Sequence, residues 1–243
     1  MEDLKNTKEK TIASQDEQVV GEVDPEIRDM VKNAVHFGHK KTRQHPKMAP
    51  YIFGVRNTVS IIDLEKTREY MHAALEFLQN AKKEGKVILF VDTTPVTGAE
   101  TKGLAEELGM PYIVERWSGG TLTNWKTIFK GIEHLRDLEN KKTQEDWEKY
   151  TKKERKEMED NILRLNKLWG GIKNMNDLPQ VMFVVNMKEN ELAIKEARMR
   201  NITVVAIADT NVDPGQADYP IPANDDALSS VKYILSRIKE SLK

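Results

Sequence analysis

Two stretches of this 243-residue chain concentrate side chains able to hold an anion, and a scatter of carboxylates raises the question of catalysis. The first stretch runs from Met30 to Ile62. It contains Lys32, Lys40, Lys41, Arg43, Lys47 and Arg56 and no aspartate or glutamate, so six cations stand together in a chain whose net charge is −1. Cations that contact phosphates gain most of their free energy by releasing condensed counterions, so a dense local cluster counts for more than total charge. Phe37, Tyr51 and Phe53 are interleaved with these cations. Aromatic rings in such a setting can stack on unpaired bases, as proteins that hold single-stranded RNA do. The plainer alternative is a solvated basic loop whose aromatics pin it to the core.

The second stretch reads Arg116-Trp117-Ser118-Gly119-Gly120-Thr121-Leu122-Thr123-Asn124-Trp125-Lys126 and follows a short strand candidate. A Gly-Gly turn into a helix start offers unpaired backbone N–H groups and a favourable dipole to a phosphate. The spacing is neither that of a nucleotide P-loop nor that of a dinucleotide-binding turn. The phosphate would then belong to an RNA backbone. Otherwise the segment is a tight turn with Thr121 or Thr123 as helix N-cap.

Asp92-Thr93-Thr94-Pro95 and Asp209-Thr210-Asn211 follow strand candidates, where α/β enzymes place their ligands. Two carboxylates there could share acid–base work or bind Mg²⁺. No activated nucleophile accompanies them, because the chain has no cysteine and no serine in a G-x-S-x-G turn. Asp209 reads equally well as a turn residue before Asp213-Pro214-Gly215, and Asn224-Asp225-Asp226 as the N-cap and first turn of a final helix. His36-x-x-His39, with His45 nearby, has metal-like spacing, but Gly38 interrupts a helix there. The neighbours are cations, and no carboxylate is at hand. Neither catalysis nor a metal is expected.

Composition bounds the rest. The 38 basic and 39 acidic residues rule out a uniformly basic chain, so any basic surface is local. The lack of cysteine removes disulfides, zinc–thiolate sites and iron–sulfur clusters. No apolar run approaches the length of a membrane span, and the first residues lack the apolar core of a signal peptide. A soluble, cytoplasmic protein is expected. Residues 1–24 carry seven acids and three lysines with few large apolar residues, which predicts a flexible acidic tail.

Beyond the tail, Asp24-Pro25-Glu26 predicts a helix start, the helix running to about His36. The runs 87–91, 181–185 and 202–207 are continuous, apolar and rich in β-branched residues, as strands buried on both faces of a parallel sheet are. Residues 111–114 and 58–62 are shorter strand candidates. Helical stretches at 65–84, 97–108, 189–199 and 225–242 alternate with the strands, and Gly85 and Gly109 are placed as C′ glycines. Repeated strand–helix units predict a doubly wound α/β sheet.

Residues 123–169 break that alternation. Over 131–168 there are ten basic and ten acidic residues. Ile128, Ile132, Leu135 and Leu138 fall on one stripe, and Met158, Ile162, Leu165 and Trp169 on another. The pattern predicts an antiparallel coiled-coil helical hairpin, with Thr151 to Glu154 as a capping box at the start of the second arm. Each arm would reach roughly 24 Å. The other possibility is two ordinary amphipathic helices lying on the main core.

In chain order the sequence carries His36-Phe37-Gly38-His39, Pro46-Lys47-Met48, Tyr51-Ile52-Phe53-Gly54 and Ile61-Ile62-Asp63-Leu64. Arg116-Trp117, Gly119 to Asn124, Gly170-Gly171-Ile172-Lys173, Leu178-Pro179 and Ala193 to Arg198 follow. With Ala208-Asp209-Thr210-Asn211 and Tyr219 to Asp226, these motifs resemble, collinearly over about residues 26–240, the family of bacterial small-subunit ribosomal protein S2.

The resemblance implies a flavodoxin-like doubly wound parallel sheet with a protruding antiparallel coiled-coil hairpin. The α/β domain would comprise 25–122 and 170–243, with 123–169 inserted as the hairpin. It implies a structural constituent of the small ribosomal subunit that binds rRNA at the head–body junction. Neighbouring small-subunit proteins would be partners, including ribosomal protein S1, whose docking the chain would support. No enzyme activity, cofactor, metal, membrane or small-molecule substrate is implied. The rRNA-binding set would be Lys32, His39, Lys40, Lys41, Arg43, Lys47, Arg56, Arg116, Thr121, Thr123, Asn124 and Lys126. The chain departs from the family at Asp92-Thr93-Thr94-Pro95, where glycine, threonine and paired lysines are usual, so no rRNA contact is carried over there. Asn186 stands where aspartate is common, and the acidic tail is additional.

Overall fold

The continuous apolar runs form strands that are buried on both faces. A computed structural model describes residues 24–143, 147 and 149–243. The tail expected over 1–24 therefore lies outside the described residues except for Asp24, as does Gln144 of the polar stretch 140–144 expected to separate the two hairpin arms. In chain order the elements are α1 (Pro25–Lys32), β1 (Phe37–Lys40), β2 (Ile52–Arg56), β3 (Val59–Ile62), α2 (Leu64–Lys83) and β4 (Ile88–Val91). Then come α3 (Gly98–Glu107), β5 (Tyr112–Ile113), α4 (Trp125–Thr143), α5 (Lys152–Trp169), β6 (Val181–Val184) and α6 (Glu191–Met199). The last three are β7 (Thr203–Ala208), β8 (Tyr219–Pro222) and α7 (Leu228–Leu242).

Five strands make one parallel sheet in the order β5-β4-β6-β7-β8. Renumbered along the chain this is the order 2-1-3-4-5, consistent with a flavodoxin-like fold. Alternate side chains enter two separate cores, as the period of two demands. Ile88, Phe90, Val181, Phe183, Val205 and Ile207 pack with Met71, Ala74, Leu78 and Ala81 of α2 and with α7. Leu89, Val91, Met182, Val184, Val204 and Ala206 pack on the opposite face with Ala193, Ile194 and Ala197 of α6 and with Leu122. The spacing of 71, 74, 78 and 81 is the apolar stripe that makes α2 a helix with one face committed to the sheet.

Local stop and start signals place the ends. Asp24 caps α1, accepting the Glu26 N–H at 2.9 Å. Gly85 and Gly109 take positive φ after α2 and α3, as C′ glycines do. Three expectations need correcting. The first helix ends at Lys32, not near His36, because Ala34 adopts φ +59° and turns the chain into β1. The candidate at 58–62 is a strand, but it lies in a separate antiparallel sheet of order β1-β3-β2. The last helix begins at Leu228, because the Asn224 carboxamide oxygen accepts from Asp226 and Ala227 N–H in a turn that precedes it.

Helices α4 and α5 run antiparallel: Trp169 lies against Gly131, Asn166 donates to Glu139 at 2.9 Å, and Lys142 pairs with Glu159 at 3.0 Å. Any Cβ at Gly131 would collide with the Trp169 ring, so glycine is required where the two helices meet the sheet. Further out, Leu135, Leu138, Ile162 and Leu165 form a small core of their own. Thr151 and Glu154 make the reciprocal capping box, with the Glu154 carboxylate accepting the Thr151 N–H at 2.8 Å.

Candidate nucleic-acid interface

The basic stretch is built on the three-stranded sheet. Arg56, Asn57, Thr58 and Val59 turn β2 into β3 through two residues of positive φ, +48° and +68°. That is the geometry of a two-residue hairpin turn whose twist matches the strands. Lys40 ends β1, Lys41 and Arg43 lie in the short helical turn Lys41–Arg43, and Arg56 ends β2. All four are exposed. Among the described residues none of the four has an ion-pair partner.

The other predicted cations differ. Lys32 belongs to α1 and pairs with Asp29 at 3.1 Å. Lys47 pairs with Asp213 at 2.6 Å. The Lys47 hydrogen bond, opposed by burial and aided by the Gly215 N–H, holds the Asp213 carboxyl below the usual range.

His39 does not face outward with its neighbours. Gly38 packs against Thr210 so closely that a Cβ would overlap it, and the His39 N–H bonds to the Thr210 hydroxyl at 2.8 Å. The imidazole then points inward: Nδ1 lies 3.2 Å from Asp209 Oδ2 and Nε2 lies 3.3 Å from Asp226 Oδ2. Its side chain is 16% exposed and engaged by these carboxylates, unlike the free cations beside it. The Asp209 hydrogen bond raises the His39 pKa, burial opposes this, and the charges of Asp209 and Asp226 add to it.

Asp225, buried beside them, has both carboxylate oxygens without a hydrogen-bond partner among the described residues. Burial above all, then Asp209 and Asp226, pushes its carboxyl well above the ordinary value. His39, Asp209 and Asp226 offer ligand atoms within 4.8 Å of one another, a donor set able to hold a divalent cation. The sequence argument that no carboxylate is available near the histidines thus fails, because the fold brings carboxylates from residues 209 and 226. The paired motif His36-x-x-His39 is not assembled. His45 instead caps its own turn by accepting the Lys47 N–H at 3.3 Å.

The Gly-Gly turn binds an anion, and the anion is internal. Glu196 of α6 accepts from the Trp117 indole N–H (3.1 Å) and Gly120 N–H (2.8 Å) on Oε1. On Oε2 it accepts from Leu122 N–H (3.0 Å), Thr123 N–H (3.1 Å) and the Thr123 hydroxyl (3.0 Å). Burial pushes this carboxyl up, and the hydrogen bonds from Thr123, Gly120, Trp117 and Leu122 more than offset it, so its pKa lies below the ordinary value. Arg200 closes the other side, donating to the Leu122 and Thr123 carbonyls at 3.0 and 2.6 Å.

Thr121 is 2% exposed and donates its hydroxyl to the Ser118 carbonyl. Thr121 and Thr123 thus serve as internal supports of the turn, while Arg116, Asn124 and Lys126 are exposed. Sequence reasoning misses Glu196. Its signal is an acid lying three residues from Ala193 on the buried stripe of α6.

Asp92 is also internally committed, accepting from Thr94 N–H at 3.1 Å and the Thr101 hydroxyl at 2.8 Å. Asp92 holds a turn and Asp209 holds His39, which leaves neither as half of an acid–base pair.

Comparison with known proteins agrees with the arrangement. The family model described as ribosomal protein S2 matches residues 30–243. The small ribosomal subunit protein uS2 of Coprothermobacter proteolyticus is 43% identical over 216 residues, which cover 89% of this chain and 81% of that protein. That of Geotalea uraniireducens is 42% identical over 216 residues, 89% of this chain and 84% of its own. That of Idiomarina loihiensis is 43% identical over 217 residues, 89% and 90% of the two chains.

Proposed function

The chain belongs to the ribosomal protein S2 family, structural proteins of the small ribosomal subunit and not enzymes, and from that premise we propose that it binds small-subunit rRNA through its three-stranded sheet. The observation that carries this reading is the group Lys40, Lys41, Arg43 and Arg56, exposed and without acidic partners among the described residues. Arg116, Asn124 and Lys126 extend the contact, and Lys32 and Lys47 add charge at its margin. The contact falls at the junction of head and body. In the same reading, α4 and α5 form a coiled-coil hairpin inserted at 123–169 into an α/β domain of 25–122 and 170–243. The small core of Leu135, Leu138, Ile162 and Leu165 supports that division. Neighbouring small-subunit proteins pack around the domain, and the chain supports docking of ribosomal protein S1. The protein works in the cytoplasm, within the ribosome.

The test is sedimentation of cell lysate on sucrose gradients at low and high salt. The chain is expected in the small-subunit peak at low salt, and its absence there defeats the proposal. Replacing Lys40, Lys41 and Arg43 together by alanine is expected to weaken incorporation. It should also lower the slope of log affinity against log salt by roughly one unit per lost phosphate contact.

A further inference from the structure

Binding to rRNA leaves open which part of the RNA the sheet meets. We infer that the outer face of β1-β3-β2 stacks unpaired bases, with Phe37 and Phe53 as ring platforms and Lys40 and Arg56 holding the adjoining phosphates; this rests on the rRNA-binding reading.

Residues directly opposite in an antiparallel sheet project to the same face. The register therefore defines two cross-strand rows: Phe37, Ile61 and Gly54, then Lys40, Val59 and Arg56. Between them β3 advances two residues, about 7 Å. The opposite face is turned into the molecule, for Ser60 and Ile62 of β3 are buried and Gly38 abuts Thr210. One row thus offers an aromatic ring beside bare backbone, since nothing lies within 4 Å of a Cβ placed on Gly54. The other offers two cations.

The sheet is also irregular where it matters. Between Ile52 and Gly54, β2 takes two steps while β3 takes one, so Phe53 is the unpaired residue of a bulge. Bulges re-aim side chains, and here the result is a Phe53 ring that is 81% exposed. Phe37 is 46% exposed. Neither ring is needed in the core to that extent, and both stand within a stretch from Met30 to Ile62 that has no acidic residue. An apolar partner surface would not call for that charge, whereas a polyanion with a free aromatic face does. In paired RNA the base faces are occupied by their neighbours, so an exposed ring can stack only on bases that have left the helix.

The experiment compares the full chain binding a short single-stranded RNA that carries 2-aminopurine with the same strand annealed to its complement. The single strand is expected to bind more tightly, and its fluorescence to be quenched on binding. Phe53→Ala and Phe37→Leu should each weaken single-strand binding about tenfold and reduce the quenching. The salt slope should stay unchanged, because no cation is lost. Thermal melting of each variant checks that the fold is intact.

Equal affinity for strand and duplex overturns the inference. So does unchanged single-strand affinity in both phenylalanine variants while the Lys40, Lys41 and Arg43 variant still loses RNA; rRNA binding then stands without stacking. Loss of RNA binding in none of these variants removes the rRNA-binding reading itself. If the phenylalanine variants lose ribosome incorporation with RNA affinity intact, the face is a protein contact and the inference falls.

Discussion

The Gly-Gly turn after β5 and the sheet formed by residues 37–62 both carry the sequence signature of an anion-binding site, and the fold treats them oppositely. At the turn, five donors converge on the carboxylate of Glu196, and Arg200 covers the facing carbonyls. On the sheet, Lys40, Lys41, Arg43 and Arg56 have no acidic partner among the described residues. A local motif records that an anion is wanted there; only the distant chain decides whether the protein supplies that anion itself. The turn is in this sense complete, and the sheet is open to a polyanion.

The largest effect that could break this contrast lies at Glu196. Glu196→Ala leaves several buried donors without an acceptor, and each costs about 1–3 kcal/mol. Urea unfolding is expected to show a loss of at least about 3 kcal/mol. The pH dependence has a definite sign. The Glu196 pKa is lowered in the folded protein, so its contribution is present above the unfolded value, about 4.3, and is lost as pH falls through the lower folded value. Wild type should therefore lose stability in acid by a step that the alanine variant lacks. A variant as stable as wild type would mean that the turn does not depend on its internal anion.

Next in size is a matched pair of double variants. Lys41→Ala with Arg43→Ala and Arg116→Ala with Lys126→Ala remove the same charge from the two regions. The sheet pair is expected to reduce affinity for small-subunit rRNA about tenfold or more at moderate salt. The turn pair is expected to cost clearly less, because Arg116 and Lys126 only extend a contact whose centre is the acid-free sheet. Equal losses in a filter-binding titration would place the turn on the same footing as the sheet.

Features that depend only on neighbours along the chain are legible in the sequence. The five-stranded core follows from apolar runs, and Asp24, Gly85, Gly109 and the Thr151–Glu154 box act where their types predict. The three-stranded sheet is legible only at 58–62. Phe37-Gly38-His39-Lys40 and Ile52-Phe53-Gly54-Val55-Arg56 lack strand alternation, because bulges interrupt both pairings. Glu196 escapes notice because it lies 73 to 79 residues from its donors. The acidic partners of His39 are hidden for the same reason, coming from positions 209 and 226. Asn224 has the residue type of a helix cap, yet it caps a turn before the helix. Charge counted along the chain locates cations; it does not tell which of them a remote carboxylate will neutralise.

Lys47 sits between the two cases, and it supports the smallest and sharpest prediction. It is a cation of the basic stretch, yet Asp213 holds its ammonium at 2.6 Å, much as Glu196 holds the turn. The Lys47 side chain is 65% exposed, so the pair adds well under about 1 kcal/mol to stability. Asp213→Asn keeps a carboxamide oxygen where Asp213 Oδ1 now accepts the Gly215 N–H at 3.0 Å, so the turn at Pro214 should survive and the melting temperature change little. What changes is the charge: Lys47 is released to a polyanion. Affinity for small-subunit rRNA is expected to rise about two- to threefold, and the salt slope to steepen by up to about 0.9, the increment of one added phosphate contact. An unchanged slope would place Lys47 outside the contact surface and confine that surface to cations which have no acid beside them, making the absence of an internal partner the criterion that marks the interface.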